Sequence, residues 1–124
     1  MRIDHLINGK SVSSQQYFET RNPATQEVLA EVASGGGNEV NAAVQAAKDA
    51  FPAWSTLAAP DRAKKSRTLG ELIAKHVPEI AQTETNDTGQ TISQTAKQLV
   101  PRAADNFSYF AEMCVRVDGH TYPT

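Results

Sequence analysis

The spacing of apolar residues changes character once along the chain, near Gly35, from short alternating groups to a helical repeat. Before that point Leu6-Ile7 is followed by Asn8-Gly9 and then Lys10-Ser11-Val12. Asn-Gly accepts positive φ at both central positions of a type I′ turn, so the pattern predicts a β-hairpin. A second pair of runs, Tyr17-Phe18-Glu19-Thr20 and Val28-Leu29-Ala30-Glu31-Val32, flanks Asn22-Pro23-Ala24-Thr25. Pro23 lacks the N–H that a strand would use, which places the turn there and predicts a second hairpin.

After Gly35-Gly36-Gly37, a flexible joint, Asn38 is a suitable N-cap for a helix. Val40, Val44, Ala47 and Phe51 recur at steps of four, three and four and make one apolar stripe. Pro52 is expected to end that helix at or near Phe51. Pro60 suits the first turn of the next helix, with Asp61 near its positive end. Leu69, Leu72, Ile73 and Val77 would be its buried face, with Arg62, Lys64, Lys65 and Arg67 on the wet side. Pro78 starts a continuation towards Asp87, and Thr88-Gly89 is a stop signal. A short helix is expected from Thr91 to Leu99, and Pro101 should open another that reaches Val115 or beyond. Asp118-Gly119 then turns the chain towards Tyr122-Pro123, the start of an extended segment. The reading is α+β: two short N-terminal hairpins followed by about four helices, with residues 1–34 a hairpin segment and 35–124 a helical part.

Composition narrows the class. The chain has 124 residues, room for one compact domain, and only 6% of them are aromatic. Many apolar positions are alanine, which favours helices but buries little area, so the core should be thin. A net charge of −2 with interspersed signs gives no basic stripe for nucleic acid. No apolar run approaches the ~18 residues of a membrane span, and no secretory leader follows Met1, so the cytoplasm is the expected compartment. The single cysteine, Cys114, excludes an internal disulfide.

Candidate chemistry is sparse. Cys114 would need a neighbouring base or cation to become a nucleophile; the alternative is a small helical hydrophobe. His5, His76 and His120 stand far apart, in no ligand spacing. Gly35-Gly36-Gly37 before a helix could cradle a phosphate, but it has neither G-x-G-x-x-G nor a following Walker lysine, and reads better as a joint. Glu79, Glu84 and Asp87 cluster in one region, where helical carboxylates are commonly just solvated. Arg102 follows Pro101 at a helix start, ahead of Asn106, Phe107, Tyr109 and Phe110. It suits an anionic ligand, or it is an exposed first-turn arginine; the residues alone leave both open.

The order of motifs resembles the N-terminal region of the aldehyde dehydrogenase superfamily. The carrying residues are Ile7-Asn8-Gly9-Lys10; Asn22-Pro23-Ala24-Thr25-Gln26-Glu27-Val28-Leu29; and Val40-Asn41-Ala42-Ala43-Val44-Gln45-Ala46-Ala47 with Phe51 and Trp54. Asp61-Arg62 to Leu72-Ile73 and Glu84-Thr85-Asn86-Asp87-Thr88-Gly89 complete the set. Pro101-Arg102-Ala103, Asn106-Phe107, Tyr109-Phe110-Ala111-Glu112, Cys114, Gly119 and Thr121-Tyr122-Pro123 are similar to the dehydrogenases of 5-carboxymethyl-2-hydroxymuconate semialdehyde, with betaine aldehyde and 2-hydroxymuconic semialdehyde dehydrogenases as competitors.

That resemblance implies a parent enzyme, cytoplasmic and dimeric or tetrameric, that oxidises a semialdehyde in bacterial homoprotocatechuate breakdown with NAD or NADP. It implies a cysteine nucleophile, a water-activating glutamate and an oxyanion site, all beyond residue 124. Cys114 does not match the catalytic cysteine motif. The segment would therefore supply no catalytic or cofactor-binding residue and be inactive alone, its catalytic domain absent. By the same resemblance Gln98, Arg102 and Asn106 line the substrate entrance, and Thr20 and Asp87 fall at a structural monovalent-cation site. The rival expectation is a non-catalytic binding or scaffold module derived from that family.

Overall fold

The computed structural model describes residues 1–122. Its elements are β1 (Arg2–Ile3), β2 (His5–Ile7), β3 (Lys10–Val12), β4 (Tyr17–Arg21), β5 (Val28–Ala33), α1 (Gly37–Ser55), α2 (Ala59–Lys75), α3 (Val77–Thr88), α4 (Ile92–Gln94), a π turn (Thr95–Leu99) and α5 (Val100–Met113). They group into two compact units. One holds Met1–Thr56 and Thr83–Thr91; the other holds Leu57–Gln82 and Ile92 onward.

In the first unit both expected hairpins form. β2 pairs antiparallel with β3, and the Asn8-Gly9 corner has φ of 52° and 71°, the two positive values a type I′ turn demands. β4 pairs antiparallel with β5 around a corner in which Asn22 Oδ1 accepts the Ala24 N–H at 2.9 Å and the Asn22 carbonyl accepts the Gln26 N–H at 2.8 Å. Strand β1, which no periodicity announced, adds parallel to β5 and gives the sheet order β1-β5-β4. Ala30 and Ala33 of β5 are buried.

Helix α1 differs from expectation at both ends. Its cap is Gly36, and Glu39 reaches back to accept the Gly36 N–H at 2.8 Å, so Asn38 lies inside the first turn. The helix runs through Pro52 to Ser55, because a proline within the last turn forfeits one bond near an end where few remain. Its stripe of Val40, Val44 and Phe51 is exposed.

In the second unit α2 begins with Pro60 in its first turn, as expected. Its buried face is not the leucine face, however. Leu69 and Leu72 are 44% and 50% exposed, while Ala63 and Gly70 are buried. The reason is close approach. A Cβ built on Gly70 would lie 2.9 Å from the Ala104 carbonyl oxygen, so α5 crosses where only glycine leaves room. Arg62, expected to be solvated, is half-buried with its guanidinium on the Leu57 carbonyl.

Helix α3 stops at Thr88, and Gly89 takes φ +77° with Pro23 packed where a Cβ would stand. The two helices expected around Pro101 are one continuous helical run, 92–113, interrupted by the π turn. Pro101 sits inside that run because its missing N–H follows directly on the widened turn. The run ends at Met113, and the turn that follows falls at Cys114–Val115, ahead of Asp118-Gly119. The extended segment expected at Tyr122-Pro123 runs into residues outside those described. No helix among the described residues is long and apolar enough to cross a membrane.

Candidate functional site

The helical run of the second unit carries the expected entrance residues. Gln98 lies in the π turn, and Arg102 and Asn106 follow at steps of four, the spacing that keeps side chains on one helix face. All three are exposed. The opposite side is held by burial: Val100, Ala104 and Ala111 are 6%, 5% and 1% exposed. Rotation of α5 is thereby fixed, and with it the direction in which the polar stripe faces. Sequence reading named this stripe but missed Thr95, the one fully buried polar residue described, whose hydroxyl donates to the Ile92 carbonyl at 3.2 Å. No sequence signal marks it, because Ala96 stands at the α-helical step of four from Val100.

In the first unit the other two candidates come together. Thr20 Oγ1 donates to Asp87 Oδ1 at 2.7 Å across 67 residues of sequence. They border a cavity of about 530 Å³ whose apolar wall includes Ile3, Phe18, Leu29 and Val32. Glu84 and Asn86 stand at the same cavity, whereas Glu79 pairs with His76 Nδ1 at 3.1 Å on an exposed surface. Among the described residues no group of three or more His, Cys, Asp or Glu could hold a metal ion.

The remaining candidates have ordinary roles. The Cys114 thiol donates to the backbone carbonyls of Ala111 and Ala59 at 3.3 and 3.5 Å. At Gly35-Gly36-Gly37 the helix N-terminus is already served by the Glu39 carboxylate. Hydrogen bonds from the Gly36 and Glu39 N–H groups hold that carboxyl below its ordinary pKa, so a phosphate there would meet a negative charge. The Gly35-Gly36-Gly37 turn therefore does not fit the phosphates of a nicotinamide dinucleotide.

Comparison with known proteins gives this arrangement a context. The sequence profile of the aldehyde dehydrogenase family matches residues 10–124. The chain belongs to the aldehyde dehydrogenase family. It is 55% identical over 98% of its length to the 5-carboxymethyl-2-hydroxymuconate semialdehyde dehydrogenase of Escherichia coli, and covers 26% of that protein. It is 40% identical over 88% of its length to the 2-aminomuconic semialdehyde dehydrogenase of Danio rerio, of which it covers 22%. Two solved structures overlay all of it: an aldehyde dehydrogenase of Bacillus cereus in complex with NAD+, at TM-score 0.95 and 34% identity, and HpcC of Thermus thermophilus, at 0.93 and 38%. The chain covers 26% and 24% of those proteins. This aldehyde dehydrogenase segment thus spans about a quarter of the length of the relatives it matches. The fold expected from the motifs is the one found.

Proposed function

We propose that this chain is the N-terminal segment of an NAD(P)-dependent dehydrogenase that oxidises 5-carboxymethyl-2-hydroxymuconate semialdehyde, or a close dicarboxylate analogue, to the acid. The parent enzyme is cytoplasmic, a homodimer or homotetramer, and serves aromatic catabolism. The observation that carries the reading is the 55% identity to the Escherichia coli enzyme across nearly the whole chain. The bound nicotinamide accepts hydride in that chemistry; the residues of this segment neither hold it nor touch the reacting atoms.

What the segment contributes is selection at the entrance. Arg102 presents a permanent positive charge on an exposed helix face, between Gln98 and Asn106, which offer amide donors. A guanidinium pairs bidentately with a carboxylate, so the stripe favours an aldehyde that carries one. In the complete dehydrogenase, Arg102→Leu is expected to lower kcat/KM for the dicarboxylate semialdehyde about tenfold or more, the worth of one charge-assisted bond. A neutral aldehyde should be oxidised as before. Equal losses on both substrates would end the assignment.

Thr20 and Asp87 are proposed as part of a monovalent-cation contact, since both offer hard oxygen donors 2.7 Å apart. If they hold such an ion, the melting temperature of the complete enzyme should rise with sodium or potassium over an isosmotic tetramethylammonium control. Asp87→Asn should abolish that difference; a variant that keeps it would remove Asp87 from the site.

A further inference from the structure

The β1-β5-β4 sheet of the first unit has two faces of different character. Residues in register across a sheet point the same way, so Ile3, Phe18 and Val32 share one face with Thr20 and Ala30. The other face carries Arg2, Glu19 and Glu31, a polar set of the kind a sheet turns to water. On the apolar face the Thr20–Asp87 hydrogen bond brings the end of α3 alongside, and the cavity of about 530 Å³ lies there. Ala30 is buried beside Thr20, yet Phe18 and Ile3 stay 55% and 41% exposed. The rim of the cavity is acidic. Glu84 is half-buried there, and among the described residues no cation pairs with its carboxyl. The last turn of α3 holds no basic residue, so Glu84 and Asp87 stand near the negative end of the helix without one. A half-buried carboxylate against an apolar wall is costly until a counter-charge reaches it.

An apolar face with an acidic rim suits a polypeptide stretch that carries apolar side chains beside a lysine or arginine. The parent enzyme supplies the length for it. The chain overlays the Bacillus cereus aldehyde dehydrogenase throughout at TM-score 0.95 while covering 26% of it, so about three quarters of a protein of that size lies outside this segment. Tethering to the same chain holds such a stretch at high effective concentration near the face. We propose that the apolar face of the β1-β5-β4 sheet is a docking surface for a stretch of the parent dehydrogenase beyond residue 124, which packs apolar side chains on Phe18 and Ile3 and sets a lysine or arginine against Glu84. This rests on the reading of the chain as the N-terminal segment of a longer enzyme. It adds which face the remainder meets and what chemistry the remainder brings.

The complete dehydrogenase carries the test. Phe18→p-benzoylphenylalanine, a photoreactive aromatic, is expected to give a monomer-sized cross-linked product on irradiation, and peptide mass mapping should place the new bond beyond residue 124. The same replacement at Ile3 should reach the same stretch, and that stretch should hold a lysine or arginine. Glu84→Lys is expected to speed thermal inactivation about threefold or more, and exchanging the basic residue of the cross-linked stretch for glutamate should restore the parent rate. A dimer-sized product would show that a second copy covers the face. No cross-link from either position would show it open to water or to a small molecule. Both results overturn the proposal, as do a cross-linked stretch without a basic residue, an unchanged inactivation rate in Glu84→Lys, and a charge exchange that restores nothing. Activity of the same preparations separates the two readings: a protein that cross-links as expected and leaves the dicarboxylate semialdehyde unoxidised keeps the docking surface and loses the proposed function.

Discussion

At the scale of single residues, the side chains that hold the segment together differ from those the sequence advertised. Asp4 accepts the Tyr17 hydroxyl at 2.6 Å and the Ser11 hydroxyl at 3.0 Å, and the Arg2 guanidinium lies over the Tyr17 ring, 4.3 Å from its centre. These contacts tie the residues around β1, β3 and β4 together. The Tyr17 bond, then the Ser11 bond, hold the Asp4 carboxyl below the ordinary carboxylate value. A depressed folded-state pKa contributes stability above the ordinary range, and that contribution is lost as pH falls through the folded value. Tyr17→Phe should therefore move the Asp4 titration, followed by carboxyl NMR, upward towards the ordinary range; an unmoved titration would mean the hydroxyl is not its main support. None of this network was legible in the sequence, because Asp4 and Tyr17 meet only once β4 has been placed by its pairing with β5. The placement of Arg102 on a helix ahead of Asn106 was legible, since both lie on the same element.

At the scale of elements, local chemistry was legible wherever it was decided locally. Asn8-Gly9 made its turn, Gly89 ended α3 and Pro60 sits in the first turn of α2. Periodicity misled where a neighbour decided. The leucines of α2 mark an apolar face, yet α5 packs on the small residues, because Gly70 and Ala104 let two backbones approach. Gly70→Ala weighs two effects. Helix propensity favours alanine by about 1 kcal/mol. Against it, the new Cβ would stand 2.9 Å from a backbone oxygen and 3.1 Å from Ser108 Oγ, overpacking that costs about 1–3 kcal/mol. The backbone oxygen cannot swing aside, so the clash wins. An unfolding free energy lowered by roughly 1 kcal/mol, read as a lower denaturant midpoint at unchanged slope, is expected for this variant. A midpoint equal to or above the parent's would show that the two helices can part without loss. The π turn escaped notice for a related reason: Thr95 and Ala96 are both small enough for the seam, and only the folded chain, by the burial of Thr95 and the bond from Val100, shows which one occupies it.

At the scale of the molecule, the alanine-rich composition was the informative signal. Among the described residues, the buried apolar side chains are those of Ala30, Ala33, Ala63, Ala81, Ala104, Ala111 and a single valine, Val100. Side chains that would each contribute about 1.5–3 kcal/mol if fully buried, such as Phe51, Leu72 and Phe110, remain 50–65% exposed. These exposed side chains are apolar surface that a larger core could bury. The Cys114 sulfur faces carbonyls, Asp87 accepts the Thr20 hydroxyl, Glu79 pairs with His76, and the glycine joint is closed by Glu39. The most direct measurement is NADH formation by the purified 124-residue chain, supplied with NAD and the dicarboxylate semialdehyde beside the complete dehydrogenase. The account predicts turnover by the complete enzyme and none by the segment. Sustained aldehyde-dependent reduction of NAD by the segment alone would contradict it.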